Sequence, residues 1–362
     1  MKNTHVPTDV SHKRIPVAIL GATGAVGQRM VQLLENHPWF EIAALTGSER
    51  TIGRPYGELV RWMLDSEPLA PIAQMVVQPS DTPLDVAIAL SALPTDAARE
   101  FEPLWAHRVA VCSNASAYRM APDVPLLIPE VNPEHLALID YQRKQRDWGG
   151  CLITNPNCAS IGITLALKPL HRAFGIKKIH VATLQAISGA GYPGVASLDI
   201  IDNIIPNIAN GGEEDKIERE TRKLLGTVVD HKEIHDASMT ISAQVTRVPV
   251  IDGHTALLSI GFEQQPTVEQ VIATLEGFQA PESVRKLPSA PARPIIVRHE
   301  ADRPQPRRDR AAGNGMSASV GRVRPCPLLD VRMVALSHNT IRGAAGGALL
   351  NAELLVATGV VS

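Results

Sequence analysis

One cysteine in this sequence stands where a thiol nucleophile would be expected. An apolar segment, 151–154, is followed by Asn155-Pro-Asn157-Cys158, and leucines and isoleucines then recur at helical spacing. Cys158 should therefore begin a helix, where backbone N–H groups and the helix dipole favour a thiolate and lower the thiol pKa. The alternative is a buried cysteine without a chemical role. The remaining cysteines lie in apolar strands or between prolines, and we expect them to be inert: Cys112, Cys151 and Cys326.

A thiol nucleophile needs an acid/base partner, and His254 is the best placed of the twelve histidines. It follows an apolar segment, 247–251, which we expect to be a strand, and an Asp-Gly turn. A histidine at such a strand end can project into a cleft. The sequence leaves open whether His254 meets Cys158.

A glycine motif near the N-terminus predicts a dinucleotide-binding turn. Gly21, Gly24 and Gly27 are spaced three apart between an apolar strand, 14–20, and an amphipathic helix. In that context backbone N–H groups at the helix start face a pyrophosphate. The alternative is a tight turn that happens to be rich in glycine.

The end of the second predicted strand, 41–45, favours NADP over NAD. An acid usually holds a free ribose hydroxyl at this point. Here the chain reads Ser48-Glu49-Arg50, and Ser48 and Arg50 suit a 2′-phosphate. Glu49 is discordant, and we interpret it as a solvated loop carboxylate.

The elements around these residues indicate two layered units. Further apolar strands at 85–93, 108–112 and 125–128 alternate with helices, one of which starts at Pro94. This alternation predicts right-handed crossovers and a doubly wound parallel sheet. A helix within 131–148 should lead out of this unit. The fold class is therefore α/β, with an N-terminal Rossmann-type sheet followed by a second domain.

Composition excludes several classes of protein. The 362 residues suggest about two domains. With 44% hydrophobic residues and a net charge of −2 the chain is neither disordered nor a typical nucleic-acid binder. The arginine-rich segment 293–324 is then a surface or interface loop, not a nucleic-acid arm. No apolar run would span a membrane, and residues 1–14 should be a flexible tail rather than a signal peptide. Cysteines without pairing or metal spacing indicate a reducing, cytoplasmic compartment and no metal.

Ordered motifs along the chain resemble those of one enzyme family. They are GATGAVG, SNASAYRM, TNPNCAS, LQAISGAGYPG, IIPNIANGGEEDKIE, RVPVIDGHT and SHNTIRGAAGGA. Together they resemble the aspartate-β-semialdehyde dehydrogenases, in the branch typical of archaea and fungi. The resemblance runs from about residue 15 to the C-terminus.

The resemblance implies an NADP-dependent enzyme that reduces L-4-aspartyl phosphate to L-aspartate 4-semialdehyde and phosphate. That reaction belongs to lysine, threonine, methionine and isoleucine biosynthesis. It implies an NADP-binding Rossmann domain, 15–156 with 339–362, and an α+β catalytic and dimerisation domain, 157–338. The final helix, about 340–357, would return to the first domain. The enzyme would be a homodimer or homotetramer without nucleic-acid or membrane partners.

The resemblance also implies roles for individual residues. Cys158 would form a thioester, with His254 as its acid/base. Other residues would bind the substrate. They would be Gln185 and Asn157 at its carbonyl, Arg247 at its α-carboxylate, Glu213 or Glu214 at its α-ammonium, and Arg119 and Lys216 at its phosphate. The cofactor would contact Gly21, Thr23, Gly24, Ala25, Val26, Gly27, Ser48, Arg50, Ser91, Ser188, Gly189 and Asn339.

Three other functions are compatible with parts of this pattern. An acyl-CoA reductase, of the malonyl-CoA type, could keep nearly every motif. An N-acetylglutamyl phosphate reductase would share the cysteine and histidine, but we would not expect its helix to read GGEEDKIE. A non-catalytic NADP-binding protein would have no need of both Cys158 and His254. The Asn-Gly-Gly sequence at 210–212 departs from the family's more apolar lead-in, which leaves the loop geometry open.

Overall fold

A computed structural model describes residues 14–361 of the chain. The predicted tail, 1–14, lies outside the described residues except for Arg14. Two β-sheets organise the molecule, one of six strands and one of seven, and a short hairpin stands apart from them.

The N-terminal sheet is parallel throughout and has the strand order β3-β2-β1-β4-β5-β6. Its strands are β1 (Ile15–Leu20), β2 (Phe40–Gly47), β3 (Gln78–Pro79), β4 (Ile88–Ser91), β5 (Ala110–Ser113) and β6 (Cys151–Thr154). The order reverses between β1 and β4, and ligands bind beyond the carboxyl ends of the strands at such a switch point. The predicted Rossmann-type doubly wound sheet is confirmed.

Helices lie in the connections between these strands. They are α1 (Ala25–Leu34), α2 (Tyr56–Leu59), α3 (Ala70–Ala73), α4 (Thr95–Ala106) and α5 (Ile139–Arg146). The stripe predicted for the first helix buries Met30, Val31 and Leu34 of α1. Pro94 immediately precedes α4, as predicted. The helix predicted within 131–148 is split into a 3-10 helix, Pro133–Leu138, and α5.

The predicted strand at 125–128 is wrong. Only one bridge joins it to β6, between Leu126 and Thr154. The next backbone groups turn away, because the Ile128 N–H donates to the Asn132 side chain at 2.8 Å and the Ile128 carbonyl accepts from Val131. An apolar segment thus folds into a buried turn.

The C-terminal sheet is mixed, with the order β13-β14-β15-β12-β7-β11-β8. Its strands are β7 (Ile176–Gln185), β8 (Ile205–Pro206), β11 (Thr240–Arg247), β12 (His254–Phe262), β13 (Ile295–Arg298), β14 (Ala318–Pro325) and β15 (Val331–Ser337). The separate hairpin consists of β9 (Thr227–Val229) and β10 (Glu233–His235). The remaining helices are α6 (Cys158–Phe174), α7 (Ser197–Ile200), α8 (Gly212–Leu224), α9 (Val268–Glu276), α10 (Glu282–Arg285), α11 (Pro306–Asp309) and α12 (Gly346–Ala357). Two more 3-10 turns, Ile187–Ala190 and Ile208–Gly211, precede α7 and α8, respectively.

The predicted strand at 247–251 is also wrong. β11 ends at Arg247, where the Val248 N–H still donates to Gln185 O. Pro249 has no N–H, and the Val250 N–H donates back to Val248 O at 2.7 Å, which turns the chain. His254 is consequently the first residue of β12 and does not follow a strand.

The two faces of the C-terminal sheet differ. Helices α6, α8 and α9 pack on one face through the apolar core. On the other face, neighbouring strands place exposed or half-buried side chains in register. One such row is Gln244, Ala182, Leu257 and Val334.

The C-terminal helix returns to the N-terminal sheet, as predicted. A π-helical turn, Ile341–Ala345, leads into α12, which packs against β4, β5 and α1. Within residues 14–361 no helix is both long and apolar enough to cross a bilayer.

Candidate active site

Cys158 is the first residue of α6, as the sequence predicts. The Asn157 side chain caps this helix by accepting hydrogen bonds from the N–H groups of Ala159 at 2.9 Å and Ser160 at 3.4 Å. Cys158 is half-buried, whereas the other three cysteines are buried, and none of the four is in a disulfide. The cap and the helix start fix the direction in which the thiol points.

The structure brings Cys158 and His254 together, which the sequence left open. Strand β12 runs antiparallel to β7 and β15, so its first residue lies at the edge where those strands end. The Sγ of Cys158 is 3.2 Å from Nε2 of His254. The two residues therefore form a cysteine–histidine pair.

The hydrogen bonds of His254 determine which ring nitrogen carries the proton. The backbone N–H of Ala186 donates to Nδ1 at 3.0 Å, so Nδ1 is the acceptor. In the neutral ring the hydrogen is then on Nε2, and it points at Cys158 Sγ. His254 is thus a donor toward the sulfur.

Burial sets the charge of this pair. Burial lowers the pKa of His254 to about 3, and the nearby Arg247 lowers it further. Burial also raises the pKa of Cys158 to about 12, and the negative charge of Glu213 contributes to this rise. The positive charges of Arg119 and Arg247 lower this pKa but do not offset the rise. The expectation of a lowered thiol pKa is wrong, because burial outweighs the helix start. The pair consists of a thiol and a neutral imidazole.

Two further predicted residues lie at the same edge of the sheet. Gln185 ends β7 and Arg247 ends β11, and the two are direct partners in the parallel register. Nη1 of Arg247 donates to Ala186 O at 2.7 Å. A Cβ on Gly189 would lie 2.7 Å from that nitrogen and 3.0 Å from the His254 ring, so a larger residue there would displace the Arg247 guanidinium.

Helix α8 supplies a carboxylate and an ammonium group. The buried Glu213 accepts from Asn157 Nδ2 at 2.9 Å and from Lys216 Nζ at 2.7 Å. Burial would raise the pKa of Glu213, but Lys216 and the Asn157 amide hold it below its usual value. Glu214 turns away and accepts from the Val245 N–H at 3.2 Å. Of the two acids left open by the sequence, Glu213 faces the nucleophile.

Arg119 reaches this cluster from a loop after β5. Its Nη1 donates to Glu220 at 3.0 Å and its Nη2 donates to Asn114 O at 2.5 Å. Its Nε is buried and has no hydrogen-bond partner among the described residues. The guanidinium is thus held through both terminal nitrogens, and its Nε–H is unused.

Glu220 is a site residue that the sequence analysis missed. Its second carboxylate oxygen accepts from the backbone N–H of Asn157 at 2.6 Å. The signal that could have found it is the spacing of the charged side chains on one face of α8: Glu213, Lys216, Glu220 and Lys223.

Asn155 and Gly343 were also missed. Nδ2 of Asn155 lies 3.4 Å and 3.3 Å from the carbonyls of Gly343 and Ala344, in the π-helical turn. Gly343 packs on Cys158 so closely that a Cβ would lie 2.8 Å from the Cys158 Cβ. No local sequence pattern relates positions so far apart in the chain.

Each glycine of the first motif has a distinct structural reason. Gly21 has a φ of +75°, and Gly27 packs on the turn just after β1, where a Cβ would lie 2.3 Å from Gly21 O. Gly24 is exposed, and the nearest atom to a Cβ there would be 3.6 Å away. Thr23, Ala25 and Val26 complete the turn at the start of α1. The turn is tight, packed on one side and open on the other, which suits a pyrophosphate.

The other predicted cofactor contacts fall into three environments. Ser48 and Arg50 are exposed just beyond β2. Ser91 is fully buried and its hydroxyl donates to Glu102 at 2.7 Å. Asn339 donates to the Ser188 hydroxyl at 2.7 Å and accepts from the Gly253 N–H at 2.8 Å.

A cavity of about 250 Å³ separates the glycine turn from the C-terminal sheet. Ala25 and Arg29 line it on one side, and Ser188 and Tyr192 line it on the other. Ser188 belongs to the same turn as Gly189, which contacts the His254 ring. The cavity thus connects the glycine turn to the neighbourhood of the cysteine–histidine pair. In the described part of the chain, no group of three or more His, Cys, Asp or Glu side chains is placed to hold a metal.

The 3-2-1-4-5-6 parallel sheet with its glycine turn, beside a cysteine–histidine pair, defines a class: dinucleotide-dependent oxidoreductases that carry a cysteine nucleophile. Comparison with known proteins narrows the class. Residues 16–139 match the family described as semialdehyde dehydrogenase, NAD binding domain, and residues 167–342 match its dimerisation domain. The chain belongs to the aspartate-semialdehyde dehydrogenase family.

Individual relatives agree with this assignment. The chain is 50% identical over 345 residues to an aspartate-semialdehyde dehydrogenase of Archaeoglobus fulgidus, covering 95% of this chain and 98% of that one. The crystal structure of the Candida albicans aspartate semialdehyde dehydrogenase with NADP superimposes with a TM-score of 0.88 at 42% identity, covering 96% and 99% of the two chains. A malonyl-CoA reductase (NADP) of Metallosphaera sedula is 40% identical and covers 96% and 99%. The resemblance to archaeal and fungal members is confirmed.

Proposed function

We propose that this enzyme is an NADP-dependent aspartate-semialdehyde dehydrogenase. It reduces L-4-aspartyl phosphate to L-aspartate 4-semialdehyde and phosphate. The observation that carries the proposal is the Cys158–His254 pair at 3.2 Å with Arg119, Lys216, Arg247 and Glu213 around it. An acyl phosphate of an amino acid needs cationic anchors for its phosphate and carboxylate and an anionic anchor for its ammonium, and this set provides them.

The first step forms a thioester on Cys158. The sulfur attacks the acyl carbon, the C–S bond forms, and the C–O bond to phosphate breaks with its electron pair going to the phosphate oxygen. His254 already carries its hydrogen on the nitrogen that faces the sulfur. The thiol proton therefore leaves with the phosphate. Arg119 and Lys216 neutralise the charge that develops on this leaving group.

His254 acts next as a hydrogen-bond donor. When the thioester carbonyl becomes tetrahedral, its oxygen gains negative charge, and an N–H beside the sulfur can stabilise it. Because burial lowers the pKa of His254 to about 3, the ring is neutral at neutral pH and this N–H faces the sulfur. Gln185 and Asn157 hold the carbonyl carbon against the sulfur, while Arg247 and Glu213 bind the amino-acid head group.

The residues of the N-terminal sheet fit an NADP molecule. The open face at Gly24 and the helix start of α1 would hold the pyrophosphate, and Ser48 and Arg50 would hold the 2′-phosphate. Thr23, Ala25, Val26 and the 188–189 turn would line the rest of the site. NADPH supplies the hydride when bound.

A second candidate is an acyl-CoA reductase. The malonyl-CoA reductase relative supports it, because that protein shares the fold and much of the sequence. A malonyl group has no ammonium, however, and would leave the buried Glu213 without a substrate partner. The charge set therefore favours the amino-acid substrate.

The wider organisation follows from the same proposal. We assign residues 15–156 with 339–362 to the NADP-binding domain and residues 157–338 to the catalytic and dimerisation domain. The chain should assemble as a homodimer or homotetramer in the cytoplasm, where four cysteines outside disulfides remain reduced. Its product feeds lysine, threonine, methionine and isoleucine biosynthesis.

The reverse reaction tests the proposal. Purified enzyme should reduce NADP, and NAD more slowly, when aspartate semialdehyde and phosphate are both present. Cys158→Ala should abolish this turnover while NADP still binds, because the nucleophile is lost but the glycine turn is intact. Cys326→Ala, the matched control far from the site in sequence, should keep its activity. Turnover of malonyl-CoA alone, or an active Cys158→Ala enzyme, would contradict the proposal.

A further inference from the structure

A carboxylate of α8, Glu220, bridges the two parts of the site that must act together in the first chemical step. One of its oxygens accepts from Arg119 Nη1 at 3.0 Å and the other accepts from the Asn157 N–H at 2.6 Å. Glu220 is 2% exposed, so both contacts are shielded from water. A buried carboxylate with two charge-assisted hydrogen bonds is held firmly in place.

The contact with Asn157 completes the cap of the nucleophile's helix. In an ordinary capping box the side chain at the third helical position accepts from the N–H of the capping residue. Here that position is Ser160, whose hydroxyl is buried without a hydrogen-bond partner in the described structure. Glu220, from a different helix, accepts from that N–H instead. The start of α6, and with it Cys158, is thus set by α8.

The contact with Arg119 orients its guanidinium. Glu220 and the Asn114 carbonyl together hold both terminal nitrogens of Arg119, which leaves the buried Nε without a partner among the described residues. One turn further along α8, Lys223 donates to the carbonyls of Arg119, Ala121 and Val124 at 2.8, 2.8 and 3.0 Å. The same helix face therefore fixes the backbone of the Arg119 loop and the direction of its side chain.

We propose that Glu220 is a positioning residue that sets the distance and direction between the Cys158 nucleophile and the Arg119 guanidinium. The proposal rests on the proposed function, in which Arg119 binds the phosphate that Cys158 displaces. Glu220 touches neither substrate nor cofactor, and it acts through Asn157 and Arg119. Its loss should therefore weaken the binding of phosphate more than the binding of the other substrates.

Glu220→Gln tests the bridge at nearly constant volume. The amide can still accept one hydrogen bond, but its NH₂ group cannot accept from Arg119. In the reverse reaction the KM for phosphate should rise by about tenfold or more, since one partner of a buried charge pair is lost. The KM values for aspartate semialdehyde and NADP should stay within about twofold, because Arg247, Glu213 and the glycine turn, which would hold their charged groups, form no hydrogen bond with Glu220.

The matched control is Glu218→Gln. Glu218 lies on the same helix, but its carboxylate accepts from the Ala243 N–H of β11 at 3.0 Å and takes no part in the site. It should leave all three KM values unchanged. In an Arg119→Ala background, Glu220→Gln should add little to the phosphate KM, since the two changes break one interaction. Equal rises for phosphate and semialdehyde, or full additivity with Arg119→Ala, would overturn the proposal.

Alkylation of Cys158 by iodoacetamide gives a second readout that needs no turnover. Burial is the largest cause of the raised pKa of Cys158, and the negative charges of Glu213 and Glu220 raise this pKa further. Arg119 and Arg247 lower it. Glu220→Gln should therefore speed alkylation at a fixed pH, and Glu218→Gln should not. Unchanged alkylation in Glu220→Gln would count against the bridge even if the wild-type enzyme showed no phosphate-dependent turnover. A wild-type enzyme without phosphate-dependent turnover would contradict the proposed function but not the positioning role of Glu220. Should Glu220→Gln not fold, Glu220→Asp withdraws the carboxylate by one methylene and should raise the phosphate KM in the same direction.

Discussion

The protonation of His254 is the residue-scale feature with the sharpest consequence. With Nδ1 accepting from the Ala186 N–H, and a pKa lowered to about 3 by burial and Arg247, the ring should stay in the Nε2–H form from pH 5 to 9. Nitrogen-15 NMR of histidine-labelled protein distinguishes the two ring nitrogens by their chemical shifts. His254→Ala identifies the signals to follow. A protonated Nδ1 at pH 6, or a titration near pH 6.5, would contradict the geometry.

The same shift implies a loss of stability in acid. The unfolded chain binds a proton on this histidine below about pH 6.5, whereas the native ring stays neutral until about pH 3. The unfolded state then binds more protons, so the free energy of unfolding falls as the pH drops through this window. His254→Ala should show a shallower fall than the wild type between pH 6.5 and 4.

The sequence predicted several reactive residues individually, but it could not predict which of them are in contact. Cys158 is readable because a helix begins there, and His254 because a glycine turn precedes it. Their contact depends on β12 lying antiparallel to β7, which no local pattern encodes. Glu220 and Asn155 were missed because their partners include backbone groups of other elements, and such groups look alike at every position.

At the scale of elements, the π-helical turn Ile341–Ala345 holds the nucleophile's helix from behind. A buried bidentate pair between Arg342 and Glu130, at 2.8 and 2.7 Å, anchors this turn. The Asn155 side chain donates to the carbonyls of Gly343 and Ala344 in this turn. Wider helical turns of this kind occur often at functional sites, where they bring backbone close to a reactive group.

Gly343→Ala tests this packing. The new Cβ would lie 2.8 Å from the Cys158 Cβ and 3.0 Å from its Cα and O, so α6 or the turn must move. We expect a loss of about 1–3 kcal/mol in the free energy of unfolding and a fall in kcat. Gly212→Ala is the control, because a Cβ there meets nothing within 4 Å and φ is −66°. Denaturant unfolding and turnover assays report both quantities, and equal behaviour of the two variants would refute the contact.

Most elements of the N-terminal sheet were predictable because strands buried on both faces form continuous apolar segments. The two errors, at 125–128 and 247–251, share a cause. Both segments are apolar and contain a proline, but each makes only a few backbone bonds to a neighbouring segment before the chain turns, at Ile128 in one and at Val250 in the other. Burial and strand pairing are separate properties, and hydropathy reports only burial.

At the scale of the whole molecule, the exposed face of the C-terminal sheet bears on assembly. The family match includes a dimerisation domain over residues 167–342, which contains this sheet. The row formed by Gln244, Ala182, Leu257 and Val334 places one polar and three apolar side chains side by side. Leu257 is 43% exposed although it lies on β12, the central strand of the sheet. A flat face of this kind can be buried against a second copy.

Leu257→Arg should therefore shift the enzyme from dimer toward monomer. A stable interface buries about 1,600 Å², and a symmetric dimer would place two new charges near its centre. Sedimentation velocity measures the mass directly. Leu104→Arg is the matched control, because Leu104 is 46% exposed but lies on α4, on the N-terminal sheet. Dissociation by Leu104→Arg with an intact Leu257→Arg dimer would move the interface to the other sheet. Since Gln185 and Arg247 end the strands β7 and β11 that carry this row, dissociation should also lower kcat.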